Sequence, residues 1–276
     1  MAATLEALIA ENRELRRERN LYRARLAAIE RSRWWRLHPR RLVGGSRLDR
    51  AGPIVATRPG GIAAAPPVAA RLSDDPSLAR FGDEVIARGS FTQDWVTTSF
   101  THWRPILDEL EGRPARILEI GSFEGLSTCF LLWRLPRASV TCVDTFEGLI
   151  ENEGVPARGL EEAFDANVAL LDGSRVRKLV GDSKRRLLDL ADDAEEFELV
   201  YVDGSHLGLD VLVDAALAWG LLALNGTIVF DDYRWADLGD DALLRPGPAI
   251  DAFCELVEGK FEVVFSNDQI ALRRIT

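Results

Sequence analysis

The stretch from Arg116 to Ser127, RILEIGSFEGLS, constrains the fold of this chain more than any other part of the sequence. It begins as a short apolar run that includes Glu119, breaks at Gly121 and Gly125, and continues with the apolar spacing of a helix. This pattern predicts a buried strand, a tight glycine turn and the first turn of a helix. An ordinary strand-to-helix connection has the same pattern. The residues downstream therefore decide whether the turn is structural or binds a ligand.

Strand and helix patterns alternate downstream of this stretch. The alternation predicts a parallel sheet covered by helices on both faces, which is a Rossmann-like, doubly wound α/β fold. The last two strand patterns are separated only by residues 266–268, Ser-Asn-Asp, which predicts an antiparallel hairpin at the sheet edge. The seven predicted strands span residues 116–120, 139–143, 175–180, 197–202, 226–230, 260–265 and 269–274.

Acidic residues stand at the carboxyl ends of the first five predicted strands. In an open parallel sheet, ligands bind beyond these ends. One acid at a strand end is commonly a helix cap, but five at the same edge of the sheet indicate a functional site. These acids are Glu119, Asp144, Asp182, Asp203 and the pair Asp231-Asp232.

The order of these motifs resembles that of class I S-adenosylmethionine-dependent methyltransferases. More narrowly, it is similar to the metal-dependent O-methyltransferases that include the macrocin-type sugar O-methyltransferases. The resemblance covers roughly residues 90–276, and its most specific parts are LEIGSFEGLST, CVDTFEG, VDGSH and FDDY. The chain has Phe123 where the superfamily commonly has a central glycine, a looser form that the catechol-type and macrocin-type branch also uses. The sequence GSFEG does not fit the GxGxxG motif of a nicotinamide dehydrogenase.

The resemblance implies where S-adenosylmethionine would bind. Gly121 and Gly125 would let its methionine part lie against the backbone, since glycine has no Cβ, and Glu119 would help to hold that region. Asp144 would accept hydrogen bonds from both ribose hydroxyls. Asp182 and Ser183 would border the adenine ring. The full set of expected cofactor-binding residues is Glu119, Gly121, Ser122, Gly125, Ser127, Asp144, Thr145, Asp182 and Ser183.

The resemblance also implies a divalent metal site formed by Asp203, Asp231 and Asp232. Hard oxygen ligands suit magnesium, the metal we expect, as well as calcium or manganese. Such an ion would bind the substrate hydroxyl and lower its pKa. His206, three residues after Asp203, is the expected catalytic base, because an ordinary imidazole titrates near neutrality. The alternatives are that His206 is a neutral metal ligand or that it holds another ligand in place.

The first 72 residues differ from the rest of the chain. Residues 4–30 carry a heptad seam, which predicts a coiled-coil dimer. Its members are Leu5, Leu8, Asn12, Leu15, Arg19, Tyr22, Leu26 and Ile29, with Asn12 and Arg19 as polar members. A lone amphipathic helix on its own domain is the alternative. Residues 31–42 combine Trp34 and Trp35 with arginines, which suits a membrane surface or an acidic partner. They resemble an element beside coiled coils in bacterial surface-polysaccharide proteins. We expect a helical unit at 1–43, a Gly/Ala/Pro-rich linker at 44–72 and the methyltransferase domain at 73–276.

Composition limits the function classes. The net charge of −10 argues against a general nucleic-acid binder, although residues 1–50 hold thirteen arginines and six acidic residues. The three cysteines form no CxxC pair, and the sequence has neither a signal-peptide core nor a long apolar run. These features favour the cytoplasm. The basic segment would add peripheral contact at the inner membrane face. The histidines offer no two-histidine-one-carboxylate site for a hydroxylase iron.

These observations predict a metal-dependent O-methyltransferase that acts on a sugar or glycan precursor. The alternatives are an enzyme for a phenolic or other small metabolite, and a non-catalytic cofactor-binding module that serves assembly. Two helices within residues 81–111, which hold Trp95 and Trp103, are expected to cover the ligand site.

Overall fold

The computed structural model of the chain describes residues 76–148, 159–235 and 241–276. The predicted coiled coil at 4–30, the basic segment at 31–42 and the linker at 44–72 lie outside the described residues. Their assignments therefore stay predictions.

A seven-stranded sheet forms the centre of the described residues, in the order β3-β2-β1-β4-β5-β7-β6. Strands β1 to β5 are parallel to their neighbours, whereas β7 is antiparallel to both β5 and β6. This arrangement confirms the predicted Rossmann-like fold with an antiparallel hairpin. The strands are β1 (Ala115–Ile120), β2 (Ala138–Asp144), β3 (Val176–Val180), β4 (Phe197–Val202), β5 (Leu222–Phe230), β6 (Phe261–Ser266) and β7 (Ile270–Arg274).

Alternate residues of the central strands supply two separate hydrophobic cores, one on each face of the sheet. Ile117 points into a core shared with the first four helices, and its neighbour Leu118 points into a core shared with the last three. Side chains on a strand alternate between faces, so a strand buried on both sides is apolar throughout. The helices are α1 (Pro76–Glu84), α2 (Arg104–Leu110), α3 (Leu126–Arg134), α4 (Leu160–Val168), α5 (Ser183–Asp192), α6 (Gly208–Leu221) and α7 (Pro246–Leu256).

The bounds of β5 differ most from the sequence prediction. The strand was expected at 226–230, yet it begins at Leu222, directly after α6. Asn225 has φ +64°, and the register with β4 shifts between Phe197 and Leu199. The Asn-Gly pair at 225–226, which is typical of a turn, is therefore absorbed as an irregularity inside the strand.

The segment before β1 contains α1, α2 and two short 3₁₀ turns at Ile86–Arg88 and Thr97–Ser99. Across the described ranges 76–148, 159–235 and 241–276, every helix is too short or too polar to cross a membrane.

Candidate active site

The glycine turn after β1 needs its glycines because the protein packs against itself there. A Cβ on Gly121 would lie 1.9 Å from the backbone oxygen of Asp203, and one on Gly125 would lie 2.9 Å from the ring of Phe164. Both glycines also have left-handed φ angles, +84° and +79°. The sequence suggested that these positions are glycine because a cofactor approaches the backbone closely. The structure gives another reason, which is contact within the protein itself. These contacts bring the end of β1 against the end of β4.

Glu119 fixes the turn through buried hydrogen bonds. Its carboxylate is fully buried and accepts hydrogen bonds from the hydroxyls of Ser122 (2.7 Å), Ser127 (2.6 Å) and Thr128. Burial raises the pKa of Glu119, and these hydroxyl donors oppose the rise. Three of the expected cofactor-binding residues are thus brought together, but their side chains bind one another. Glu119 can therefore act on a ligand only through the shape of the turn.

Asp144, at the end of β2, holds the turn from the side. Its Oδ2 accepts the backbone N–H groups of Ser122 at 2.7 Å and Phe123 at 2.8 Å, and its Oδ1 accepts that of Phe146 at 2.7 Å. A carboxylate offers about four lone-pair directions. Three are used within the protein, so Asp144 joins β2 to the turn and keeps limited capacity for a ligand hydroxyl.

Phe123 has φ +46° and occupies the position where the methyltransferases that the sequence resembles commonly have a glycine. This left-handed conformation costs a bulky residue free energy and persists only where the surroundings impose it. Asp144 accepts the Phe123 N–H, and the Trp95 ring lies 5.1 Å from the Phe123 ring. Trp95 is half exposed (51%), so the two rings form an apolar surface beside the turn.

The segment that carries Trp95 is tied to the glycine turn. Glu124 accepts the backbone N–H of Thr92 at 2.6 Å and its hydroxyl at 2.7 Å. Asn167 of α4 accepts the N–H of Ser90 at 2.7 Å and donates to the carbonyl of Glu124 at 2.8 Å. Trp95 thus stands at the turn, whereas Trp103 is buried in the core, so only the former is placed to cover a ligand.

The remaining expected cofactor residues have local partners. Asp182 is exposed and caps α5 by accepting the Arg185 N–H at 3.3 Å. The Ser183 hydroxyl donates to Asp214 of α6 at 2.7 Å. Thr145 is exposed next to Asp144. Asp182 thus serves as a helix cap, which is the common structural role of an acid at a strand end. The role of Asp182 and Ser183 at the adenine ring stays a prediction.

A cluster of two carboxylates and an imidazole lies beyond β4 and β5. One ligand atom from each of Asp203, His206 and Asp232 lies within 4.8 Å of the other two. His206 Nε2 is 2.8 Å from Asp232 Oδ2, and the His206 ring lies 4.5 Å from that of Trp235. Asp232 has φ +55°, a left-handed conformation that aspartate tolerates better than most residues. The predicted base therefore stands among the predicted metal ligands.

Asp231 lies beside this cluster and is held by other protein groups. Its Oδ2 accepts hydrogen bonds from the hydroxyl of Tyr201 and, at 3.0 Å, from Gln269 Nε2, while its Oδ1 accepts the N–H of Asp232 at 2.7 Å. The Tyr201 hydroxyl also lies 2.9 Å from Asp203 Oδ2. Burial raises the pKa of Tyr201 far above its usual value, so the phenol keeps its proton and links the two carboxylates.

The negative charges of Asp203, Asp231 and Asp232 repel one another. Burial first, and then the neighbouring Asp231 and Asp232, raises the pKa of Asp203 well above its usual range. Burial and Asp232 raise the pKa of Asp231 to about 6. A divalent cation would remove this repulsion, and the carboxylate oxygens of the cluster suit magnesium or manganese. The residues present therefore fit the predicted metal.

Sequence analysis missed Tyr201 and Gln269. Tyr201 stands two positions before Asp203, so the alternation of side chains on a strand could have placed both on the same face. Gln269 had no such pattern, because its place opposite Asp231 depends on the register of β7 against β5, in which Phe230 pairs with Ile270.

Comparison with protein families agrees with this arrangement. Residues 118–233 match the family model of a methyltransferase domain. The matched range includes the glycine turn, Asp144 and the whole acidic cluster. No curated protein matches the chain.

Solved structures share the fold of the described residues. The MycE methyltransferase from the mycinamycin biosynthetic pathway, solved with Mg, SAH and mycinamycin VI, is 17% identical with a TM-score of 0.51; the match covers 72% of this chain and 55% of MycE. Cofactor-bound Rv0187 from MTB is 20% identical with a TM-score of 0.50, covering 74% of this chain and 91% of that one. A candidate O-methyltransferase from Klebsiella pneumoniae is 17% identical with a TM-score of 0.50, covering 73% and 90%.

Proposed function

We propose that this chain is a metal-dependent O-methyltransferase that transfers the methyl group of S-adenosylmethionine to a hydroxyl of a sugar or glycan precursor. The observation that carries the proposal is the cluster of Asp203, His206 and Asp232, which lies against the glycine turn of a methyltransferase-like domain. The methyl group of this donor is already activated on a sulfonium. The protein must therefore align donor and acceptor and remove one proton.

The cofactor would bind at the glycine turn, between the ends of β1 and β2. The turn is held rigidly by Glu119 and Asp144, so its shape is set before a ligand arrives. A preformed site lowers the ordering cost of binding. The apolar surface of Trp95 and Phe123 beside the turn would keep water from the activated methyl group.

The acceptor hydroxyl would be activated beyond β4 and β5. Asp203 and Asp232, with Asp231 behind them, would hold a divalent ion, which supplies positive charge that lowers the pKa of the hydroxyl. We assign His206 as the group that takes the proton. Its Nε2 lies 2.8 Å from Asp232 Oδ2, and a carboxylate at that distance orients an imidazole and stabilises its protonated form.

Aromatic rings near both parts of the site support an acceptor with a flat apolar face. Trp235 packs against His206, and Trp95 is half exposed at the glycine turn. Sugar rings and phenols both stack on indoles, so the same two residues also favour a second candidate, a phenolic small metabolite. MycE, which was solved with Mg and SAH, offers a precedent for the pairing of metal and cofactor on this fold.

We also propose that residues 4–30 join copies of the chain through the heptad seam and that the basic segment at 31–42 contacts a membrane or an assembly partner. The support is the spacing of the seam and the concentration of arginines around Trp34 and Trp35.

The enzymatic proposal is tested by incubating the purified protein with S-adenosylmethionine, magnesium and a panel of nucleotide sugars, glycan fragments and phenols. Mass spectrometry should detect the gain of one methyl group on a sugar hydroxyl, and a chelator should abolish that gain. Methylation of phenols alone would favour the second candidate. Methyl transfer that is unaffected by chelation would contradict the metal-dependent mechanism.

A further inference from the structure

We infer that Trp103 and Gln269 are positioning residues for the acidic cluster: the indole fixes the side-chain amide of Gln269, and that amide fixes Asp231. The inference rests on the proposed metal site. It concerns two residues that do not take part in the cofactor turn or the Asp203–His206–Asp232 group. The two lie 166 positions apart in the chain.

The direction of the hydrogen bonds follows from what each group can donate. Trp103 Nε1 donates to Gln269 Oε1 at 2.7 Å, and an indole N–H can only donate. The oxygen of the Gln269 amide must therefore face the indole, and its NH₂ group must face the other way. That group donates to Asp231 Oδ2 at 3.0 Å. The indole thus ensures that Asp231 meets a donor and not a second acceptor.

Both residues are held firmly in the core. Gln269 is fully buried and Trp103 nearly so (2%), and the indole packs edge-on against Tyr201 with the ring centroids 4.7 Å apart. The backbone of Gln269 is fixed by Asn267, which accepts its N–H at 2.8 Å. A buried amide with hydrogen bonds at both ends has one low-energy orientation, because any other leaves polar groups unpaired.

Asp231 transmits this order to the cluster. Its Oδ2 shares the Tyr201 hydroxyl with Asp203, and its Oδ1 accepts the backbone N–H of Asp232. Whatever fixes Asp231 therefore also fixes the carboxylates on either side of it. Hydrogen bonds that orient metal-ligating carboxylates typically change metal affinity by about 10- to 100-fold when they are removed.

Metal affinity tests this inference without a known acceptor. Mn²⁺ is titrated into the full-length protein, and free Mn²⁺ is measured by electron paramagnetic resonance. Gln269→Met, which keeps the length of the side chain and removes the amide, should raise the Kd by about 10- to 100-fold. Trp103→Phe, which keeps an aromatic ring and removes the donor, should raise it as well.

A matched control separates this effect from a loss of packing. Trp133→Phe also removes an indole hydrogen bond of 2.7 Å, to Glu84, near the carboxyl end of α3. The Kd of this variant should stay within about twofold of that of the natural protein. The double variant Trp103→Phe/Gln269→Met should bind Mn²⁺ no more weakly than Gln269→Met, because the indole acts through the amide.

The outcomes distinguish this inference from the proposed function. If the natural protein binds Mn²⁺ and Gln269→Met binds it equally well, the positioning role is wrong while the metal site stands. Additive losses in the double variant would also overturn the indole-to-amide order. If the natural protein binds no Mn²⁺, the metal site and this inference fall together. Circular dichroism verifies folding, and Gln269→Met decides the matter if Trp103→Phe does not fold.

Discussion

The carboxylate of Asp144 accepts the backbone N–H of Ser122 at 2.7 Å, which ties the end of β2 to the glycine turn that follows β1. The same oxygen accepts the N–H of Phe123. Asp144 therefore stabilises the turn directly. A hydrogen bond from a cofactor hydroxyl would be made in addition to these two. Substituting Asp144 should consequently affect both the turn and the cofactor.

Asp144→Ala should weaken binding of S-adenosylmethionine by at least tenfold, because hydrogen bonds to a charged acceptor contribute roughly 1.5–3 kcal/mol each. Titration calorimetry measures the affinity. The matched control is Asp172→Ala, which also removes an aspartate that accepts a backbone N–H, that of Ser174, in a surface turn. Equal affinity of the Asp144→Ala variant and the natural protein would remove Asp144 from the cofactor site.

His206→Ala should keep cofactor affinity and lose about 10²- to 10⁴-fold in rate at saturating metal, the range for a positioned general base. Its metal affinity should fall by no more than about 10- to 100-fold, because the imidazole orients Asp232. Asp232→Ala should instead lose metal affinity, with partial recovery of the rate at high magnesium. Mn²⁺ titration and initial rates with the acceptor found in the screen separate the two effects. If His206→Ala loses metal affinity as severely as Asp232→Ala, His206 is a ligand and the proton leaves by another route.

Asp214→Asn should be more stable than the natural protein, and this difference in the free energy of unfolding should increase as the pH rises. Burial raises the pKa of Asp214 to about 6, against an ordinary value of 3.8, so between pH 4 and 6 the folded state holds a proton that the unfolded state has released. The contribution of Asp214 to the free energy of unfolding therefore falls as the pH rises through this window. Asparagine does not titrate and can still accept the Ser183 hydroxyl.

The gain of Asp214→Asn over the natural protein should grow by on the order of 2 kcal/mol between pH 4.5 and pH 7.5. Urea unfolding at the two pH values measures it. Asp193→Asn, which changes an exposed acid of the same type, is the control. A difference between Asp214→Asn and the natural protein that does not vary with pH would contradict the assignment.

Leu15→Glu together with Leu26→Glu should lower the oligomeric state of the full-length chain, because both leucines lie on the predicted heptad seam and a charge there opposes burial. Arg17→Glu, outside the seam, should leave it unchanged. Light scattering gives the mass. The same mass for all three proteins would refute the seam as the assembly element.

The strands and helices were predictable because their apolar periods are long and regular. The strand predicted at 197–202 coincides with β4, and the antiparallel hairpin was marked by polar residues between two apolar runs. The start of β5 was not predictable, since Asn225-Gly226 favours a turn in isolation and only pairing with β4 draws it into the strand.

The position of the acids at one edge of the sheet was predictable, whereas their individual partners were less so. Parallel strands carry their carboxyl ends to one edge, so acids such as Asp144 and Asp203 were expected together. The sequence could not show that the Glu119 carboxylate would accept from three hydroxyls and the Cys142 thiol, or that Asp182 would cap a helix. Those outcomes depend on which donors the folded backbone brings within reach, as with Gln269 and Asp231.

The hydrogen bond between Trp103 and Gln269 has a consequence for synthesis of the protein. Strands β4 and β5, which are followed by Asp203, Asp231 and Asp232, leave the ribosome before the β6–β7 hairpin that contains Gln269. Until that hairpin pairs with β5, Asp231 lacks its amide donor and the acids repel one another without a fixed arrangement. A nascent chain would thus acquire an ordered acidic cluster only after the hairpin has completed the sheet.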